Sequence, residues 1–272
     1  MSTAVVVQAR TRSSRLPGKV LLPLVGAPLL QRMLERVRAA RAPTPFELVV
    51  ATTTDTGDDL IVELCRRMDV RCFRGHPTDL LERHHGAARS AGADVVVKIP
   101  SDCPLIDPEA IRLVLEAWNA SGGRLDYLGN LHPPSWPDGN DVEVVSIDAL
   151  SVALHEATAP HEREHTTPFL WDRPERFRLG NVVWPGGRDL SMTHRFTVDY
   201  LADYLLVRAA YDALWSEARP LFSVDEILAL LEAHPWIARL NEAFAGVNWY
   251  RHHLGALRTV AAGRTRPEPR SP

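Results

Sequence analysis

The sequence has few cysteines, no long apolar run and no surplus of basic charge, and each shortage removes a class of function. Its 272 residues include only three cysteines, Cys65, Cys72 and Cys103. That odd number, without metal-ligand spacing, predicts reduced thiols in a core rather than a disulfide framework or a cysteine-bound zinc. No stretch approaches the roughly 20 apolar residues that span a bilayer. Met1 to Val7 also lacks the charged start and long apolar segment of a signal peptide, so a cytoplasmic protein with no membrane partner is expected. A net charge of -3 supplies no general basic field. No nucleic-acid partner is expected, and any phosphate recognition must be local. Internal repeats are absent.

What is present is a rhythm. Ala4 to Ala9 is a short apolar run ending at Arg10, and Leu29 to Ala40 carries apolar residues at helical spacing. The same alternation returns in Glu47 to Ala51 with Asp58 to Met68, in Val70 to Phe73 with Leu80 to Ala91, and in Asp94 to Ile99 with Pro108 to Trp118. Unbroken apolar strands alternating with helices predict an α/β fold, with a mostly parallel Rossmann-like sheet flanked by helices on both faces. After Ser121 the rhythm changes. A Pro-, Gly- and Asn-rich loop, Gly129 to Asn140, precedes an expected strand at Val142 to Ile147. Further strands are expected at Val182 to Trp184 and Arg195 to Val198, and helices at Tyr200 to Trp215 and Val224 to Ala233. The expected organisation is one domain over 1–261, an acceptor-site insertion at about 121–195 and a disordered tail over 262–272.

In open parallel sheets ligands bind beyond the carboxyl ends of the strands, which directs attention to the loop after the first one. It reads Gln8-Ala9-Arg10-Thr11-Arg12-Ser13-Ser14-Arg15-Leu16-Pro17-Gly18-Lys19. Arg10, Arg15 and Lys19 supply charge, the hydroxyls and backbone supply donors, and Gly18 allows close bending, as a polyphosphate requires. It is not a Walker loop, because the spaced glycine and the Lys-Ser/Thr ending are missing. Asp102, in Lys98-Ile99-Pro100-Ser101-Asp102-Cys103-Pro104-Leu105, is expected at the same sheet edge. Asp199 follows Arg195 to Val198. Alone, Asp102 also fits a helix or turn cap; with Asp199 and a polyphosphate it fits a magnesium site.

Gln-Ala-Arg followed by Ser-Arg-Leu-Pro-Gly-Lys resembles the signature of the cytidylyltransferases that activate sugar acids, among them the acylneuraminate and 3-deoxy-manno-octulosonate enzymes, and more closely the spore-coat polysaccharide branch. Ala51-Thr52-Thr53, Phe73-Arg74-Gly75, Ser101 to Asp107, Asp138-Gly139, Asp141-Val142-Glu143-Val144, Arg163-Glu164-His165 and Thr197-Val198-Asp199 follow in order, so the resemblance covers residues 4 to about 242. It implies a GT-A-like nucleotidyltransferase fold and transfer of CMP from CTP to a sugar acid or related small acidic acceptor. It further implies that Arg10, Arg15 and Lys19 hold the CTP phosphates and that Gln8 and Gly18 belong to the nucleotide site. Ala9, Thr52 and Thr53 would lie near the cytosine with Arg74 and Ser101 nearby, and Asp102 and Asp199 would hold Mg²⁺. Arg10, Lys19, Asp102 and Asp199 are the expected catalytic set. Members of that family often form dimers, so a homodimer is the corresponding expectation. Where the family often continues Val-Asp with Thr-Pro-Glu-Asp, this chain has Asp199-Tyr200-Leu201-Ala202-Asp203.

On the acceptor side, Asp141 and Glu143 fall two apart, so on a strand they share a face. Glu164, His165 and Arg195 are the other acceptor candidates, with His165 a proton acceptor if its pKa lies near neutrality. Trp136, beside Asp138, is a candidate cover, and the remaining tryptophans are assigned to packing. His161-Glu162-Arg163-Glu164-His165 also fits the zincin pattern, but Pro168 and Trp171 stand where the metzincin extension needs Gly and His. A GT-A glycosyltransferase is the other alternative; its Asp-x-Asp is absent at the fourth strand, where Ser101 precedes a single Asp102.

Overall fold

The computed structural model describes residues 1–269. The strands are β1 (Thr3–Gln8), β2 (Pro23–Leu24), β3 (Ala27–Pro28), β4 (Glu47–Thr53), β5 (Arg71–Gly75), β6 (Val95–Pro100), β7 (Tyr127–Gly129), β8 (Glu143–Ser146) and β9 (Leu179–Asn181). The helices are α1 (Leu29–Arg38), α2 (Asp59–Arg67), α3 (Leu80–Ser90), α4 (Pro108–Ala120), α5 (Ile147–Glu156), α6 (Pro160–His165), α7 (Pro168–Trp171), α8 (Leu201–Leu214), α9 (Val224–Ala233) and α10 (Pro235–Ala238).

The main sheet runs β5-β4-β1-β6-β8-β7-β9. Its first four strands are parallel, β8 is antiparallel to β6 and β7, and β9 returns parallel to β7. Because strand side chains alternate between faces, Val5 and Val7 enter a core made with α1, α2 and α4, while Ala4 and Val6 enter one made with α3, α5 and α7. Both faces are covered, as the unbroken apolar runs predict. A third apolar cluster joins the β2–β3 hairpin to α8 and α9. Asp107 connects two of these parts: one oxygen accepts from the Glu109 N–H at 2.9 Å to cap α4, and the other accepts from Val224 N–H at 2.7 Å at the start of α9. The β1 register places Gln8 opposite Ala51 on one side and Pro100 on the other, so the ends of β1 and β6 lie abreast and β4 runs on to Thr53 beside them.

Several sequence expectations need correction. Arg195 to Val198 is extended but is not a sheet strand. It pairs with irregular chain, Phe196 N–H donating to Asp138 O at 2.7 Å and Val198 N–H to Asp102 O at 2.7 Å, so no ladder forms. The strand expected at Val182 to Trp184 is instead β9, three residues earlier; Trp184 N–H is diverted to Ser135 Oγ at 2.8 Å. Ile147 opens α5 rather than ending β8, because the Ser146 hydroxyl accepts from Ala149 N–H at 3.2 Å and caps the helix there. The tail expected to be disordered makes defined contacts as far as it is described. Arg266 N–H donates to Gly246 O at 2.8 Å and Arg264 pairs with Asp189 at 2.6 Å; the end of the expected tail, 270–272, lies outside the described residues.

Candidate active site

A cleft of about 320 Å³ opens beyond the carboxyl ends of β1 and β6 and is floored by Gln8, Lys98, Pro100 and Glu143. A larger hollow of about 740 Å³ lies at the opposite strand edge, around Arg38, Glu47 and Arg71, and brings no candidate residue together.

The basic loop is closed by a hydrogen bond from Gly18 N–H to Thr11 O at 2.8 Å. Gly18 has φ +71°, a left-handed conformation that glycine adopts without a Cβ penalty, and no atom lies near where a Cβ would stand. Conformation, not space, therefore selects glycine there. The turn delivers Lys19 inward, where its Nζ donates to Asp102 Oδ2 at 2.8 Å, Asp199 Oδ1 at 2.9 Å and Val198 O at 2.7 Å. Burial would lower the Lys19 pKa, but Asp102 and Asp199 outweigh it and the ammonium is stabilised. Arg15 reaches the same Asp199 oxygen at 2.5 Å, and Arg195 Nη2 donates to Oδ2 at 2.9 Å. Against the cost of burial, Lys19, Arg15 and Arg195 hold the Asp199 carboxyl well below the usual range. Arg10 lines the cleft and, among the described residues, has no carboxylate partner. It is a cation available to an anionic ligand.

Asp58, not singled out in the sequence, ties this loop to the sheet. One oxygen accepts from Thr11 N–H and Oγ1, both at 2.7 Å, and the other from Thr53 Oγ1 at 2.5 Å. Burial pushes its pKa up, but the Thr53 and Thr11 bonds outweigh burial and hold it below the ordinary value. Such a group stabilises the fold above the unfolded carboxylate pKa and loses that contribution as pH falls through the folded one. Asp58→Asn is expected to cost about 2 kcal/mol, because buried donors then face an amide N–H₂, and to reduce the loss of stability on acidification. Denaturant unfolding at pH 7 and pH 3 checks both; equal stability of the two proteins at pH 7 would contradict it.

The predicted nucleotide residues divide accordingly. Gln8, Arg10, Arg15, Lys19, Ser101 and Asp102 line the cleft. Thr53 is engaged with Asp58, Thr52 and Ala9 are fully buried, and Gly18 acts through the loop backbone. Arg74 is turned to Thr53 O at 2.9 Å and Asp59 at 2.6 Å. These five do not line the cleft.

On the acceptor side, Lys98 and Glu143 are directly opposed across β6 and β8 and form an ion pair. Glu143 also accepts from Tyr127 OH at 2.9 Å and Thr167 Oγ1 at 2.5 Å, so a buried network already satisfies it. Asp141 differs: its one protein donor among the described residues is Gly139 N–H at 3.3 Å. Burial and the Asp102 and Glu143 carboxylates push Asp141 up to about 6. Gly139 brings this turn against the chain at Phe196, since a Cβ there would stand 2.6 Å from Thr197 N. Glu164 is exposed on the cleft rim. Arg195, 2% exposed, binds Asp138 at 3.1 Å, Asp199 at 2.9 Å, Asp203 at 3.0 Å and Val247 O at 2.6 Å. It organises these carboxylates from the wall of the cleft, which it lines.

His165 stacks on Trp249 with ring centroids 3.8 Å apart. Burial, then Lys98 and His253, lowers its pKa well below the ordinary value. The condition for a proton acceptor near neutrality is therefore not met. Its zincin partner Glu162 is occupied, accepting from Ala159 N–H at 3.3 Å and Arg173 at 2.6 Å, and no cluster of three metal-binding side chains occurs among the described residues. Trp136 lines the cleft while its indole N–H donates to Val182 O at 3.2 Å.

Arg83, on α3, carried no functional signal in the sequence because a helical arginine reads as a solvated face. It is 0% exposed, and burial followed by Arg10 lowers its pKa to about 10.

A family model described as cytidylyltransferase matches residues 4–231. The spore coat polysaccharide biosynthesis protein SpsF of Bacillus subtilis is 30% identical over 241 residues, which span 88% of this chain and 97% of that protein. The 3-deoxy-manno-octulosonate cytidylyltransferase of Geobacter sulfurreducens is 32% identical over 214 residues, 76% of this chain and 78% of that one. A solved cytidylyltransferase structure from Leptospira borgpetersenii is 30% identical and superposes with a TM-score of 0.81, covering 88% of this chain and 97% of its own. With the basic loop, the paired aspartates and the parallel sheet, these likenesses establish that the chain belongs to the cytidylyltransferase family of nucleotidyltransferases.

Proposed function

We propose that the chain transfers CMP from CTP to a small acidic acceptor and releases pyrophosphate. The observation that carries this reading is the convergence of Lys19 and Arg15 on Asp199, with Lys19 also on Asp102 and with Arg10 beside them, without a carboxylate partner among the described residues. Cations and carboxylates held this close suit a polyphosphate ligand accompanied by a hard metal. An acceptor oxygen attacks the α-phosphorus; its bond to phosphorus forms as the bond to the bridging oxygen breaks, and pyrophosphate leaves with that oxygen. Arg10, Arg15 and Lys19 stabilise the charge that grows on the phosphate oxygens.

Asp102 and Asp199 suit Mg²⁺: two hard oxygen donors already converge on one cation, the Lys19 ammonium, and a bound triphosphate would supply further oxygens. Once bound, the ion would neutralise phosphate charge and hold the nucleotide. Asp141, without a cationic partner among the described residues, is offered to hydroxyl or amino donors of the acceptor. Arg195 keeps Asp199 and Asp138 in place.

A pyrophosphate-release screen with Mg²⁺, each of the four nucleoside triphosphates and a panel of sugar acids and phosphonates tests the proposal. CTP-dependent pyrophosphate release with at least one acceptor is expected. Absence of both release and CTP binding would overturn the reading, and release of a nucleoside diphosphate from a nucleotide sugar would replace it with glycosyl transfer.

A further inference from the structure

Gln8 ends β1 on the face that Ala4 and Val6 share with α3. Its amide oxygen accepts from Arg83 Nη2 at 3.0 Å. A guanidinium has five N–H donors and no acceptor, so the amide cannot be turned round without setting donor against donor. The oxygen must face Arg83, and the two N–H donors of Nε2 must face elsewhere. Arg83 is itself anchored: it is 0% exposed, and Nη1 donates to His76 O at 2.8 Å and Pro77 O at 3.3 Å. Among the described residues it has no carboxylate partner, and its Nε is buried without an acceptor. Burying an arginine in this way is costly, and the fold retains it behind one side chain of the cleft. Gln8 Nε2 has no acceptor among the described residues, and Gln8 lines the cleft two residues before Arg10, near Leu80 and Pro100.

We propose that Gln8, locked by Arg83, reads the base of the incoming nucleotide by presenting only N–H donors to the acceptor edge of cytosine, N3 and O2. This rests on the reading of the chain as a CTP-dependent enzyme. Cytosine has a bare N3 where uracil carries N3–H, so UTP would set a donor against the fixed Gln8 donors. A site built around one hydrogen-bonding pattern rejects a ligand of the opposite pattern because buried polar groups are left unpaired. Leu80 and Pro100 would flank the ring with apolar surface. Arg83 is a positioning residue: it touches no base but decides which end of the Gln8 amide the base meets.

Calorimetric titration of the full chain with CTP and with UTP, in Mg²⁺ and without acceptor, tests the inference. The unaltered protein is expected to prefer CTP by about tenfold or more, the effect of one hydrogen bond replaced by a repulsive contact. Gln8→Glu keeps the contact with Arg83 but offers an acceptor oxygen, and is expected to reduce the CTP-to-UTP ratio by about tenfold. Its added negative charge weakens both nucleotides alike and cancels in the ratio. Arg83→Met frees the amide to rotate and is expected to lower the ratio with Gln8 intact; if that variant does not fold, Gln8→Glu decides alone. An unchanged ratio in Gln8→Glu, including equal weakening of CTP and UTP, would overturn the inference while leaving CTP dependence standing. Failure of the unaltered protein to bind CTP would remove both.

Discussion

Lys19→Ala is expected to lower the rate of pyrophosphate release from CTP by about 10²- to 10³-fold, corresponding to the roughly 2.7–4 kcal/mol lost when one preorganised donor to a developing negative charge is removed. The buried ammonium lies against both Asp102 and Asp199, so the variant also leaves two carboxylates facing each other. Those carboxylates are partly accessible to solvent, with side-chain exposures of 25% and 15%, and Arg15 and Arg195 still pair Asp199. The fold should therefore survive. Steady-state turnover measured beside a thermal unfolding curve separates the two effects. Turnover within a few-fold of the unaltered protein would remove Lys19 from the chemistry.

Arg195→Met should act in the opposite manner, chiefly through stability. The guanidinium is enclosed by Asp138, Asp199 and Asp203, and the Asp203 side chain is 0% exposed. Asp203 retains some donors, accepting from Asp199 and Tyr200 N–H at 2.9 Å and from Asn241 Nδ2 at 2.9 Å, but it loses its countercharge. Removing one partner of a buried charge network costs about 3–5 kcal/mol, because the remaining charges stay desolvated. For a chain of this size that corresponds to a fall in melting temperature on the order of 10 °C. A melting temperature within 2 °C of the original, to take about that difference as the resolution of the effect, would contradict the assignment of Arg195 as the organiser of these carboxylates.

The parallel half of the fold was legible because its strands are buried on both faces and read as continuous apolar runs, and because the alternation with helical spacing recurs. Val224 to Ala233 was bounded correctly, its start marked by the Ser223 and Glu226 capping pair. The later part was harder. β7 and β9 each contain a glycine and span three residues, too few for periodicity to register. Arg195 to Val198 has the composition of a strand but finds only irregular partners. Within the site, the basic loop and its two facing aspartates were readable from charge and position. Asp58 and Arg83 were not, since a carboxylate before α2 and an arginine on α3 look like ordinary solvated residues until the tertiary structure buries them. Glu143 and Asp141 look equivalent two positions apart, yet Lys98, Tyr127 and Thr167 satisfy the first and leave the second available. Linear spacing cannot separate them, because the partners come from β6, β7 and the turn between α6 and α7.

The most direct test of the central claim is a crystal structure of the protein soaked with CTP and Mg²⁺. Triphosphate oxygens are expected within hydrogen-bonding distance of Arg10, Arg15 and Lys19, with a metal ion between those oxygens and the carboxylates of Asp102 and Asp199. A triphosphate bound elsewhere, with Lys19 still bridging Asp102 and Asp199, would contradict it.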